Sequence, residues 1–417
     1  MPEAESVEPK SRPAGRWPWV AVLAAALLTR LLFVALAPGE MQWPDAREFE
    51  AVGRSLFESG TYGLHTLRPP GYPTLIAAVY RVFGPHLLAL RLVEALLGVL
   101  AVALIGMVGA RAFGRRAGLI AAALVALHPV LAFLPTIQYS ENTLVLVVVL
   151  AFGATFEAWR RGGLGRWAAS GALWGLALLV RPNTLLVLPG LAIALALALQ
   201  REGRAWRVPA LVSIAAGLLT VTPWIVRNHR VHGEWYFIAT GGGRQLWIGN
   251  NPRAEADSRV AGFYLDSLMT AETRRLPNEV EVERYFYREG LAYMRAHPGR
   301  AAVLYLRELR NLFALYPETR TGRHINALSR AAQGLASAVL FAGVLLALAR
   351  FRSAPPLWVL AGAVAGFALG SAFFFTIMRY RMTVEPCLLW MAGAGWDQAL
   401  SRWSAPRPRA AAPGPRG

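Results

Sequence analysis

The sequence predicts an all-α polytopic membrane protein of about ten transmembrane helices, with interfacial helices and a mostly helical extracytoplasmic loop domain. Three observations carry that expectation. Apolar runs recur at close to the roughly 20 residues that cross a bilayer. Hydrophobic residues make up 55% of the 417 positions and charged residues only 16%. The basic residues, all arginine except Lys10, punctuate the gaps between apolar runs.

The first run, WVAVLAAALLTRLLFVALA (19–37), is longer than a signal-peptide core. It reads as an uncleaved span that follows a charged cytoplasmic tail, 1–16. Arginine-rich gaps at 111–118, 160–166, 201–207 and 350–355, and the tail from 401 to 417, belong on the cytoplasmic side by the positive-inside rule. Fitting helices between them gives spans at 17–37, 86–110, 117–135, 141–159, 167–181, 184–200, 207–227, 327–349, 356–377 and 384–400. Both termini are then cytoplasmic, in a multi-pass plasma (inner) membrane protein whose site faces outward.

The outer side receives two pieces, 38–85 and 228–325. The chain thus divides into an N-terminal transmembrane catalytic module (17–227, including the outer loop 38–85), an extracytoplasmic loop domain (228–325) and C-terminal transmembrane helices (326–400). The loop domain holds 11 of the 25 acidic residues, and its ERYFYREGLAYMRAHPGRAAVLYLRELRNLF has apolar residues at helical spacing, which predicts amphipathic helices at the interface. YPTLIAAVYRVF (72–83) is too short to span and reads as an interfacial or re-entrant helix.

The formal charge of +18 does not point to nucleic acid, because no basic stripe interleaved with aromatics appears. A single cysteine, Cys387, excludes an intrachain disulfide and a multi-cysteine metal site. TGGGRQLWIGNNP (240–252) lacks the spacing of a phosphate-binding loop and reads as a loop with tight turns.

Candidate chemistry gathers on the outer side. Asp45, in WPDAREFE, suits a helix N-cap with Glu48 three residues on, and equally suits a general base or metal ligand beside the membrane. Glu141, after Ser140, suits the first turn of the following span, and topology places it on the same face as Asp45. Together the two acids are candidates for holding a divalent cation, the one cofactor the pattern allows. Arg68, Arg181, Arg227, Arg379 and Arg381 fall at outer boundaries, where the positive-inside rule gives them no reason to be. Single arginines there act as snorkelling anchors, but several at one level suit an anionic headgroup, since guanidinium grips phosphate through paired hydrogen bonds. In RPPGYP, Pro69 keeps Arg68 extended, Gly71 permits a turn and Pro73 suits the first turn of the short helix.

PDAREFEAVGRSLFESG, RPPGYP, YSENT, PWIVRN with GGGRQLWIGNNP, and RYRMTVEP resemble, in this order, the lipid-phosphosugar-dependent glycosyltransferases of the GT-C superfamily. The resemblance is strongest to glycosyltransferase family 39, which includes protein O-mannosyltransferases and the aminoarabinose transferase of lipid A. It implies a GT-C-type bundle, a catalytic aspartate at Asp45 and a polyprenyl-phosphate sugar donor used on the outer face. Asp45 is followed by Ala46 where some relatives carry a second acid, so Glu141 is taken as that second acid. Tyr72 joins the arginines as a substrate-binding candidate through RPPGYP. The acceptor is an envelope lipid, glycan or protein, membrane lipids surround the chain, and the competing reading is a flippase or transporter of a polyprenyl-linked lipid.

Overall fold

A computed structural model describes residues 15–257, 272–316, 327–349 and 354–404. The two tail expectations, 1–16 and 401–417, lie largely outside them. Among the described residues there are sixteen α-helices, short 3-10 turns and no strand. The expected all-α membrane bundle is therefore present.

In chain order, α1 (Trp17–Leu36) is followed by the shorter helices α2 (Pro44–Ser59) and α3 (Gly71–Phe83). The bundle continues with α4 (Leu87–Phe113), α5 (Arg115–Leu127) and the single turn α6 (Pro129–Phe133). Next come α7 (Glu141–Arg161), α8 (Leu164–Val180), α9 (Val187–Arg201) and α10 (Arg207–His232). Then come α11 (Gly242–Gly249), α12 (Glu279–Ala296) and α13 (Pro298–Leu312), followed by α14 (Ala327–Leu348), α15 (Pro355–Ser371) and α16 (Glu385–Ser404).

All ten expected spans are helical, but they are not equivalent. Six helices are long and apolar enough to cross a membrane alone: α1, α4, α7, α10, α14 and α9 with the turn before it. The expected span 117–135 breaks at His128-Pro129, where the axis bends by 58°, because proline cannot continue the hydrogen-bond ladder. α8 and α15 have 17 residues each, near the lower limit for crossing. α7 is the centre of the bundle, with 78% of its apolar window buried, against 6% for α10 and 17% for α1 on the lipid-facing rim. Glu141 begins that central helix and is buried at its start.

Without a hydrophobic drive between helices in lipid, close packing decides which faces meet. α8 packs on α10, and α9 on α15. Glycines form both seams: a methyl group on Gly171 would strike the Ser213 carbonyl, and one on Gly190 the Gly362 carbonyl.

TGGGRQLWIGNNP is not a loop of turns. Gly242–Gly249 is helical, and the Glu283 carboxylate of α12 accepts from Gly241 N at 2.8 Å and Gly243 N at 2.9 Å. An acid at a helix N-terminus satisfies free amides and suits the dipole, so the anion-binding end of α11 is already filled. α11 also clamps its surroundings. The Gln245 carbonyl accepts from Phe375 N at 3.0 Å, and Asn250 Nδ2 donates to the Phe373 carbonyl at 2.8 Å. On the other side Thr240 bonds to Thr66 through both backbone and hydroxyl. The clamp thus holds the segment before Arg68 and the segment before Arg379 to one rigid piece.

Candidate active site

Asp45 is not an N-cap. Trp43 caps α2 with extended backbone and Pro44 takes the first helical position, which leaves Asp45 second in the helix with its side chain unused by the backbone. Its Oδ1 accepts from Arg68 Nη2 at 2.9 Å and its Oδ2 from Arg379 Nη2 at 3.1 Å. Arg68 is also held by Glu48, through Nη2 at 2.7 Å and Nε at 3.0 Å, and its guanidinium lies over the Phe49 ring. Glu48 therefore serves Arg68 and not a capping box.

Arg379 spans the two candidate acids. Its Nε lies 3.0 Å from Glu141 Oε1 while Nη2 reaches Asp45, and Tyr139 stacks beneath the guanidinium. Glu141, almost wholly buried, also pairs with Arg181, whose guanidinium lies over Tyr380. The result is a chain of alternating charge, Glu48, Arg68, Asp45, Arg379, Glu141 and Arg181, drawn from five separate stretches of sequence.

Local backbone explains how the arginines meet. Arg181 is extended (φ −154°, ψ 109°) just before Pro182, as Arg68 precedes Pro69. Gly71 joins the two Arg-Pro junctions: a Cβ there would sit 2.6 Å from Val180 Cγ2 and 2.8 Å from Val180 Cα. Gly71 begins α3 and serves close approach, where the sequence suggested a turn. Gly71→Val should therefore lower stability by about 1–3 kcal/mol through overpacking. A fall in thermal midpoint in detergent is the expected measurement.

Tyr72 is fully buried against Phe49, with its hydroxyl directed toward Glu94 of α4, so it underlies the site and presents no surface. Arg227 lies apart from the cluster; it stacks on Trp224 and Tyr62 and donates to the Gly63 carbonyl at 2.5 Å. Arg381 is fully buried, bonded to Glu385 Oε2 at 2.7 Å and to the Ala314 carbonyl at 3.0 Å. These two arginines pin loops that frame the site.

Two intramembrane charges escaped the sequence reading. Glu94 of α4 is buried and accepts from Asn142 Nδ2 at 2.5 Å, while the same amide donates to the Glu94 carbonyl at 2.7 Å. Arg30 of α1 is buried too, and a Cβ on Gly98 would lie 2.6 Å from its Nε and 3.3 Å from Asn142 Oδ1. A charge inside an apolar run is costly and marks function, a signal available in LLTRLLF and RLVEALL. Asn142→Ala leaves the Glu94 carboxylate buried without that donor, at an expected cost of about 2–3 kcal/mol, checked by thermal unfolding of purified protein.

Among the described residues no three His, Cys, Asp or Glu side chains gather to hold a metal. Between Asp45 and Glu141 lies the Arg379 guanidinium, so this donor set as arranged suits a fixed cation of the protein's own and does not fit a divalent ion. Burial acts to raise the Asp45 pKa, but Arg379 and then Arg68 outweigh it and bring the carboxyl down to about 2.

Comparison with known proteins agrees with this architecture. Residues 67–226 match the family described as dolichyl-phosphate-mannose-protein mannosyltransferase. No curated protein matches in sequence. The oligosaccharyltransferase of Archaeoglobus fulgidus in its apo form is similar with a TM-score of 0.56 at 16% identity, over 95% of this chain and 52% of that one. AglB from the same organism, in complex with an inhibitory peptide and a dolichol-phosphate, gives 0.54 at 16% identity, over 94% and 52%. ArnT from Cupriavidus metallidurans bound to undecaprenyl phosphate gives 0.45 at 18%, over 93% and 79%. The chain spans about half the length of the oligosaccharyltransferase structures. The fold is of the GT-C glycosyltransferase type. This chain has a GT-C-type fold, and its residues 67–226 carry the mannosyltransferase-family match.

Proposed function

We propose that this protein is an inverting glycosyltransferase that moves a sugar from a polyprenyl-phosphate donor to an acceptor hydroxyl on the outer face of the plasma membrane, with both termini cytoplasmic. The observation that carries the reading is the pairing of Asp45 with two arginines, one of which also bridges to Glu141. The family match over residues 67–226 and the dolichol-phosphate complex of the similar archaeal protein support a lipid-phosphate donor.

In the proposed reaction the acceptor oxygen attacks the anomeric carbon and gives its proton to the Asp45 carboxylate. A new carbon–oxygen bond forms as the bond to the phosphate oxygen breaks, and polyprenyl phosphate leaves with the electron pair. Arg68, Arg379 and Arg181 stabilise the charge that grows on the leaving phosphate, so no strong general acid is needed. Glu141 orients Arg379 and Arg181. Asp45 itself pairs with Arg68 and Arg379; a donor phosphate competing for them loosens the carboxylate and restores its basicity. The electrostatics therefore tie readiness of the base to presence of the donor.

The test is to supply the purified protein, in lipid vesicles, with polyprenyl-phosphate sugar labelled in the sugar. The expected result is a new glycosidic bond of inverted configuration by NMR, with one polyprenyl phosphate released per bond. Movement of labelled lipid between leaflets with no new bond would overturn the reading in favour of a flippase.

A further inference from the structure

At the far end of the bundle from Asp45, a cavity of about 370 Å³ opens between the ends of α4 and α7, the start of α15 and the turn after α9. Glu141 begins α7 and Arg160 lies 19 residues further along it, which puts the two sites about 28 Å apart. The volume lies within the range of ligand pockets. Its walls combine apolar surface from Val108, Phe156 and Pro355 with Arg111, Arg160 and Arg204.

The two carboxylates that line the cavity are already engaged. Glu157 pairs with Arg161 at 2.7 Å. Glu202 accepts from Trp159 Nε1 at 3.0 Å and from Arg204 Nη1 at 2.9 Å, and Arg204 Nη1 also donates to the Trp159 carbonyl at 2.5 Å. That closed triad fixes the floor of the cavity. Arg111 and Arg160 have no anionic partner among the described residues, and they share this cavity with an apolar wall. The combination fits the headgroup of an anionic phospholipid, phosphate against the guanidinium pair and the first acyl carbons against Phe156 and Val108.

We infer that this cavity is a binding site for an anionic phospholipid of the leaflet opposite the candidate active site, with Arg111 and Arg160 holding its phosphate. The proposal is independent of the glycosyltransferase reading. The phosphate comes from a lipid and not from free phosphate, because the apolar wall would be left uncovered by an inorganic ion.

The experiment is native mass spectrometry of the whole protein released from mixed phosphatidylglycerol and phosphatidylcholine vesicles, with Arg111→Gln/Arg160→Gln alongside. The wild type should retain phosphatidylglycerol in preference, and the double variant should bind it about tenfold or more weakly, as expected for the loss of two surface cations. Arg111→Lys/Arg160→Lys, which keeps charge but loses the bidentate fork, should fall between them and guards against misfolding of the glutamine pair. Equal retention of the two lipids, equal binding by the double variant, or full displacement by millimolar inorganic phosphate would each overturn the proposal.

Discussion

Asp45→Asn is expected to lower kcat for sugar transfer by about 10²- to 10⁴-fold, the usual contribution of a positioned general base. Asparagine keeps the size, and its single carbonyl oxygen can still accept from one of the two arginines that Asp45 holds, so the fold should largely hold. It cannot take the acceptor proton. Initial rates with saturating donor and acceptor, beside a thermal unfolding curve, measure the two effects separately. A variant that unfolds at the wild-type temperature and still transfers at the wild-type rate would remove Asp45 from the mechanism.

The same residue sets a pH expectation with a definite sign. With its carboxyl held at about 2 by Arg379 and Arg68, Asp45 stays ionised far into acid. The kcat/KM profile, which reports free enzyme, should therefore show no acid limb from this group between pH 4 and 8. The kcat profile reports the complex, where the donor phosphate competes for Arg68 and Arg379, and its acid limb should lie at higher pH, toward the ordinary carboxylate value of about 3.9. For folding, a depressed carboxyl contributes stability that is complete above its unfolded pKa of about 3.9 and is lost as pH falls through the folded value.

Much of this site was legible because side of membrane is a strong constraint. Counting spans predicts Asp45, Arg68, Glu141, Arg181 and Arg379 on one face, and all five fall within one cluster. Their pairing was not legible, since Asp45 and Arg379 are 334 positions apart. Nor could Arg379 be separated from Arg381 in MRYRMT. The segment folds as a 3-10 turn with three residues per turn, so side chains two apart leave on different faces. One arginine enters the Asp45–Glu141 cluster and the other is buried with Glu385. The helical state of GGGRQLWIG depended on a distant partner, Glu283, which supplies the cap its glycines lack. Glu94 and Arg30 were passed over because hydropathy windows average a single charge away.

Arg379→Ala should be the most damaging change that leaves both acids in place, with kcat/KM down about 10²- to 10³-fold for loss of one preorganised donor to the leaving phosphate. Its effect has two parts that the structure lets one separate. The leaving phosphate loses a guanidinium, and Glu141, almost wholly buried, keeps only Arg181 as a cationic partner. Arg379→Lys restores a charge but not the fork that reaches Asp45 and Glu141 together, so it should recover stability more than rate. The donor KM should rise in both variants if Arg379 grips the phosphate in the ground state, whereas a fall in kcat alone assigns it to the transition state. Combining the alanine change with Asp45→Asn should give less than the product of the separate losses, because each removes a partner of the other. Fully multiplicative losses would show that the ion pair seen here has no part in the reaction.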